Sequence, residues 1–355
     1  MKNSLWVLMA LFCSQGALSQ TFPADTGWAY QEQPLQCGWN ALELEHLHKF
    51  VVDSTQITGM MIIREGKVVY HFGNLTENSY IASCRKSLLG ILYGKYVLNG
   101  TIKLDQTIGS LGIDDIGGLL PLEKTATIRQ LLQARSSVFH PASYPGDYLK
   151  YAPVRGSVKP GSFWLYSNWD FNLAGYIFEK QTGHDIYDEL QTQLALTLHM
   201  QDWDRSLQHK DGDTTISKYK AYPMWLSTRD MARIGLLMLN NGWWQGHQVI
   251  DTSWIKMLIS PVTSYQEVNK NIPAYRGADF YFGYGYLWWL WQNMTDARFA
   301  GGYSALGSMG QTISVFPAIN TVVVYKTNDV YERETPYRAR FRLLKLAVQA
   351  FKPGK

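Results

Sequence analysis

The chain has 355 residues, of which 46% are hydrophobic, 14% aromatic and 17% charged, with a formal charge of +4. That apolar and aromatic content excludes a disordered protein, and 30 glycines without a three-residue period exclude a collagen-like one. The small charge, with no Lys/Arg run of five, speaks against a nucleic-acid partner, because phosphate binding needs clustered cations.

Residues 1–20 (MKNSLWVLMALFCSQGALSQ) combine Lys2, an apolar run from Leu5 to Phe12 and the small-x-small triplet Ala17-Leu18-Ser19. This is the pattern of a cleaved secretory signal over residues 1–19, so the protein is expected to be secreted or periplasmic. Bulky Phe12 before Cys13 argues against a lipoprotein signal. No later stretch reaches about 18 uninterrupted apolar residues, so no membrane span is expected in the mature chain. Cys13 leaves with the signal. Cys37 and Cys84 remain, either as a disulfide in an oxidising compartment or as two free thiols.

Residues 41–53 have the apolar spacing of a helix. Residues 60–73 place two β-prone runs around Glu65-Gly66-Lys67, a hairpin signature. Residues 83–99 (SCRKSLLGILYGKYVLN) read as a mostly apolar helix with Ser83 at its start. Residues 101–165 are punctuated by Gly, Pro and short helical pieces such as 128–135. Amphipathic helices follow at 169–182 and 227–241, and a short one at 251–259. Residues 281–291, 298–306, 311–317 and 321–327 read as consecutive antiparallel strands, and 338–351 as a closing helix. The expected fold is α/β (α+β). An antiparallel sheet built from both chain ends is flanked by helices, with a mostly helical region inserted. One domain over 20–355 is expected, its sheet part at about 38–80 and 225–351 and its helical part at about 83–224.

The motifs narrow the chemistry. G-x-S-x-G, H-E-x-x-H and zinc-type Cys/His spacings are absent, and His46 and His48 point to different sides of a helix. No metal or organic cofactor is expected. S-x-x-K occurs at Ser83/Lys86, Ser217/Lys220 and Ser253/Lys256. A nucleophilic Ser belongs at the start of a buried helix, where backbone N–H groups and the helix dipole meet a developing oxyanion. A Lys three residues on lies on the same face, and burial helps it to give up its proton. Ser83 fits this, because Leu88, Leu89, Ile91, Leu92 and Val97 make its helix a core element. Ser217 lies in turn-like sequence, and Ser253 opens a short helix whose Lys faces water. The second element is Tyr166-Ser167-Asn168, at the entry to a helix. A Tyr beside a cation can act as a base, and an Asn can hold a carbonyl or the Lys. The third is the Gly-rich stretch from Gly301 to Gly307, whose edge allows close approach of a substrate.

This ordered set resembles the serine β-lactamase/penicillin-binding protein superfamily. It is most similar to the branch with class C β-lactamases, D-alanyl-D-alanine peptidases, carboxylesterases and 6-aminohexanoate-dimer hydrolases. The resemblance spans residues 38–350 and includes 131–142, 161–172, 227–246 and 306–317. It implies a β-lactamase/transpeptidase-like fold, Ser83 as the acylated nucleophile, Lys86 as its activator and Tyr166 as partner base. It also implies that Asn168 positions substrate and Lys86. Ser304 and Ala305 would contact substrate, and an N–H near Ala305 would join that of Ser83 in an oxyanion hole. One departure stands out. The family's third motif, Lys/His-Thr/Ser-Gly, is matched here by Gly302-Tyr303-Ser304, which has no cation. That side of the family's site holds a substrate carboxylate, so its loss points towards an ester or amide without one.

Each residue has a plainer alternative: Ser83 as helix cap, Tyr166 as core tyrosine, Asn168 as cap, and Ser304 as ordinary strand residue. Cys84 fits core packing, and the aromatic run Tyr281 to Trp291 reads as buried sheet packing, with the lining of a pocket as its alternative. The expectation is a serine hydrolase acting on a small ester, amide or peptide, as a monomer or weak oligomer. The alternatives are a β-lactamase or D-alanyl-D-alanine carboxypeptidase, and a silent homologue that binds cell-wall peptides.

Overall fold

In a computed structural model, which describes residues 21–144, 146, 148–276 and 281–352, β-prone runs from both ends of the chain meet in one antiparallel sheet. The expected signal segment lies outside the described residues. The strand order is Lys67–Gly73, Gly59–Arg64, Thr321–Lys326, Gln311–Phe316, Tyr303–Gly307, Trp289–Trp291, Phe282–Tyr284. The first hairpin turns at Glu65 and Gly66, both in the left-handed region at φ +51° and +78°. Such a turn matches the twist of the strands it joins.

Two strand expectations need correction. Residues 281–291 form two short strands rather than one, because the chain between them leaves the sheet. There Tyr286 N–H donates to Leu258 O at 2.9 Å and Leu287 N–H to Leu132 O at 2.9 Å, docking the turn on the ends of the helices Thr252–Leu258 and Ile128–Leu132. Residues 298–306 begin with a 3-10 turn at Ala297–Phe299, and the strand starts only at Tyr303. Helices at Ile186–Leu190 and Tyr265–Asn271 escaped the sequence reading, being too short to show a period.

Helices cover both faces of the sheet. Val322 meets the helix Thr228–Leu239 at Gly235. Tyr325, an odd number of residues on and so on the other face, donates from its hydroxyl to Arg340 O of the helix Tyr337–Gln349 at 2.8 Å. The helix Ala41–Ser54 packs beside that last helix. Cys84–Leu98 is the buried central helix. Among the described residues no helix is long and apolar enough to cross a membrane.

Two buried carboxyls lock the helical region. Asp115 accepts from Ser217 Oγ at 2.5 Å, Trp169 Nε1 at 2.7 Å, and the N–H groups of Lys218 and Ile116, both at 2.8 Å. Asp170 accepts from Ser136 Oγ at 2.5 Å, and burial pushes its carboxyl well above the usual range. These bonds dispose of the second S-x-x-K pair, since buried Ser217 serves Asp115 while Lys220 is exposed. In the third pair, exposed Ser253 bonds its own helix cap, Asp251.

Candidate active site

Ser83 stands where the strand Ser79–Tyr80 passes into the central helix. Ala82 just before it has φ +48°, a costly conformation for a residue with a Cβ, and Ile81 N–H is tied to Met224 O at 2.9 Å. The tight turn fixes the direction of the Ser83 side chain. Its hydroxyl does not cap the helix. Instead it accepts from Lys86 Nζ at 3.0 Å.

Lys86 lies one turn further on and is only 1% exposed. Its Nζ also donates to Tyr166 OH at 2.8 Å and Asn168 Oδ1 at 2.6 Å. The faces of Tyr166 and Phe171 lie 4.3 and 4.6 Å from Nζ, a favourable place for a cation. Burial pushes the Tyr166 phenol well above its ordinary value, while its hydrogen bond to Ser83 and the charge of Arg85 pull it part of the way back. Asn168 is the first residue of the helix Asn168–Thr182. The next two residues, Trp169 and Asp170, are the ones pinned to Asp115 and Ser136. The polar locks of the helical region therefore hold the residue that faces Lys86. Four of the six expected site residues come together within hydrogen-bond distance.

The other two do not reach the open site. Ser304 is fully buried, and its Oγ bonds Ser314 Oγ at 2.7 Å and Trp291 Nε1 at 3.0 Å within the sheet. Ala305 is also buried, its carbonyl facing the Cys84 thiol at 3.5 Å. Cys84 and Cys37 are free thiols, not a disulfide. What opens to Ser83 is Leu306 and Gly307 at the end of this strand and Ser308 just beyond it, further along than expected.

These residues border a cavity of about 250 Å³ with Ser83 in its wall. Its other walls are largely aromatic: Tyr148, Tyr166, Tyr275, Trp289, Tyr337 and Phe341. Trp289 is the member of the aromatic 281–291 run that reaches the cavity, while Phe282 and Trp291 pack on each other at 4.4 Å. Sequence reasoning missed the wall contributed by loops and by the C-terminal helix, which carry no motif. It also missed Arg340. That guanidinium lines the cavity, donates to Thr335 O at 2.7 Å and Gly307 O at 3.4 Å, and pairs with Glu334.

At Gly307 the strand lies close against the nucleophile turn. A Cβ there would lie 2.9 Å from Ile81 O and 3.0 Å from Ala82 Cβ. Neither neighbour can swing away, because both belong to the turn before Ser83. Gly307→Ala is therefore expected to displace that turn, costing about 1–3 kcal/mol of stability and lowering activity more than tenfold. Urea unfolding and ester kinetics on the variant check both effects.

Comparison with known proteins follows the same lines. The family model described as Beta-lactamase matches residues 45–347. Among solved structures, a Bacillus anthracis protein provisionally described as a 6-aminohexanoate-dimer hydrolase superposes with a TM-score of 0.63 at 20% identity, covering 93% of this chain and 87% of that one. Simvastatin synthase from Aspergillus terreus gives 0.64 at 16% identity, covering 87% and 98%. EstCE1, a hydrolase with promiscuous acyltransferase activity, gives 0.59 at 14%, covering 87% and 97%. At these identities the structural likeness speaks for the fold alone.

Proposed function

The chain belongs to the beta-lactamase family of serine hydrolases, and on that premise we propose that it forms an acyl-enzyme on Ser83 and hydrolyses a small ester or amide. The observation that carries this reading is Lys86 Nζ set between Ser83 Oγ, Tyr166 OH and Asn168 Oδ1. Ser83 Oγ attacks the carbonyl carbon while its proton passes to the Lys86–Tyr166 pair. The oxyanion is met by the N–H of Ser83 and by one from the strand. Trp291 N–H donates to Gly302 O at 2.9 Å, so alternate residues of that strand turn their backbone groups to this edge. Pairing on the edge ends at Ser304, which leaves the N–H of Leu306, one residue past the expected Ala305, for the oxyanion. The leaving group takes the proton from the pair. Water then attacks the acyl carbonyl as it gives a proton to the same pair, and the pair returns that proton to Ser83 Oγ as the acyl C–O bond breaks and the acid leaves.

The aromatic walls and the strand without a cation favour a small, mainly apolar substrate. The hydrolase and acyltransferase named among the structural neighbours are in keeping with acyl transfer. A second reading, β-lactamase or D-alanyl-D-alanine carboxypeptidase, draws support from Arg340, a cation in the cavity wall. Export is part of the proposal and rests on the leader-like composition of residues 1–19. The test is turnover of p-nitrophenyl acetate and nitrocefin by the wild type and by Ser83→Ala. Ester turnover lost in the variant, with nitrocefin untouched, supports the proposal. Nitrocefin turnover favours the second reading, and full ester turnover by Ser83→Ala contradicts both.

A further inference from the structure

Arg85, between the nucleophile and the lysine in sequence, has an environment that a structural arginine would not choose. It is 2% exposed. Its guanidinium lies over the ring of Tyr222 at 4.4 Å and reaches Asn172 Oδ1 at 3.4 Å. Its Nε and Nη1 are buried without a hydrogen-bond partner. Among the described residues no acidic side chain forms an ion pair with it. A buried charge left unpaired is costly, and an apolar side chain of similar size removes the cost. The charge therefore calls for a use.

We propose that Arg85 is a positioning residue for the proton of the Lys86–Tyr166 pair: its permanent buried charge drives that proton out, so that Ser83 is activated at lower pH than the pair alone would allow. The inference rests on the Ser83 hydrolase reading. A guanidinium keeps its proton under all ordinary conditions. Lys86 is the next residue on the same buried helix, and like charges in a low-dielectric interior repel. The group able to respond is the pair. Either the Lys86 ammonium or the Tyr166 phenol releases a proton to solvent, and the site then carries one positive charge fewer. Because the two are joined by a 2.8 Å hydrogen bond, the titration belongs to the pair and not to one member. The groups that Arg85 faces on neighbouring elements are the phenols Tyr144, Tyr166, Tyr187 and Tyr222, and each is pulled down by its charge against the effect of burial. Of these only Tyr166 touches the Ser83 cluster. Among the described residues the other titratable groups that face Tyr166 are Ser83, Cys84, Tyr148, Tyr275 and Tyr284, which carry no charge in their protonated forms.

The test follows the rate at which a fluorophosphonate probe adds to Ser83, read by intact mass across pH, for the wild type, Arg85→Met and Arg85→Gln. Arg85→Met removes the charge and fills the space, while Arg85→Gln retains a donor for Asn172. Both variants are expected to move the midpoint of the rising limb up by about one unit, so that labelling on its acid side falls about tenfold. The plateau at high pH should persist, and melting temperatures should equal or exceed that of the wild type. Unmoved midpoints in both variants, or an equal loss at every pH, overturn the proposal. A shift in Arg85→Met alone assigns the effect to the Asn172 contact and overturns it too. A wild type that takes no label at any pH overturns the hydrolase reading and this inference together, an outcome distinct from the others.

Discussion

Lys86→Met is expected to lower kcat/KM for ester hydrolysis by about a thousandfold, within the range for loss of a positioned acid–base group. Met keeps the length and apolar stem, so the packing of the central helix survives. What goes is the nitrogen that Ser83, Tyr166 and Asn168 share. Among the described residues, the proton acceptor then left within reach of Ser83 is a phenol that burial holds well above its ordinary value. The same substitution leaves buried Asn168 Oδ1 without this donor, at about 1–3 kcal/mol, but it also removes the need to bury an ammonium. The two effects oppose each other, and the melting temperature should change little beside the kinetic loss. Steady-state kinetics with p-nitrophenyl acetate, paired with thermal unfolding, separates them. A loss below tenfold in a folded variant would place the base elsewhere.

Asp115→Ala is expected to have the largest effect on stability, about 3–5 kcal/mol, because several buried donors lose their acceptor at about 1–3 kcal/mol each, offset in part by the carboxylate no longer being buried. Four donors would lose their acceptor: Ser217 Oγ, Trp169 Nε1, and the N–H groups of Lys218 and Ile116. His140 Nδ1, at 3.6 Å, would lose its carboxylate neighbour as well. Burial alone would push the Asp115 carboxyl up, but these hydrogen bonds outweigh it and hold it below the usual carboxylate value. Its contribution is thus present above about pH 4 and is lost as pH falls through the depressed folded value. Urea unfolding at neutral and acidic pH should show the gap between wild type and variant narrowing in acid. Because Trp169 follows Asn168, activity should fall before global unfolding. A variant that unfolds with the wild type would contradict the assigned role.

Much of the site was legible from the residues because its parts are local. Ser83 and Lys86 lie one helical turn apart in a mostly apolar helix, and Tyr166 and Asn168 flank a helix start. Spacing marked them as candidates and the family resemblance suggested their roles, although 80 residues separate the hydrogen-bonded Lys86 and Tyr166. The strand was harder. Which of Ser304, Ala305 and Leu306 offers a free N–H depends on where pairing with Trp289–Trp291 ends, and that is a tertiary fact. Likewise, residues 281–291 look like one strand until the contacts of Leu258 and Leu132 pull their middle away. Arg340 sits in an amphipathic helix among other basic residues, and nothing in that pattern marks it as part of a cavity. The sheet from both chain ends was visible because hairpin and β-branched runs signal themselves, whereas Ile186–Leu190 spans barely one turn.

The central claim is that Ser83 is a nucleophile, and intact mass after a fluorophosphonate probe tests it most directly. The purified wild type should gain the mass of one probe, and Ser83→Ala should gain none. A single addition that persists in Ser83→Ala would contradict the account, because the reactive serine would then lie outside the Lys86–Tyr166–Asn168 cluster.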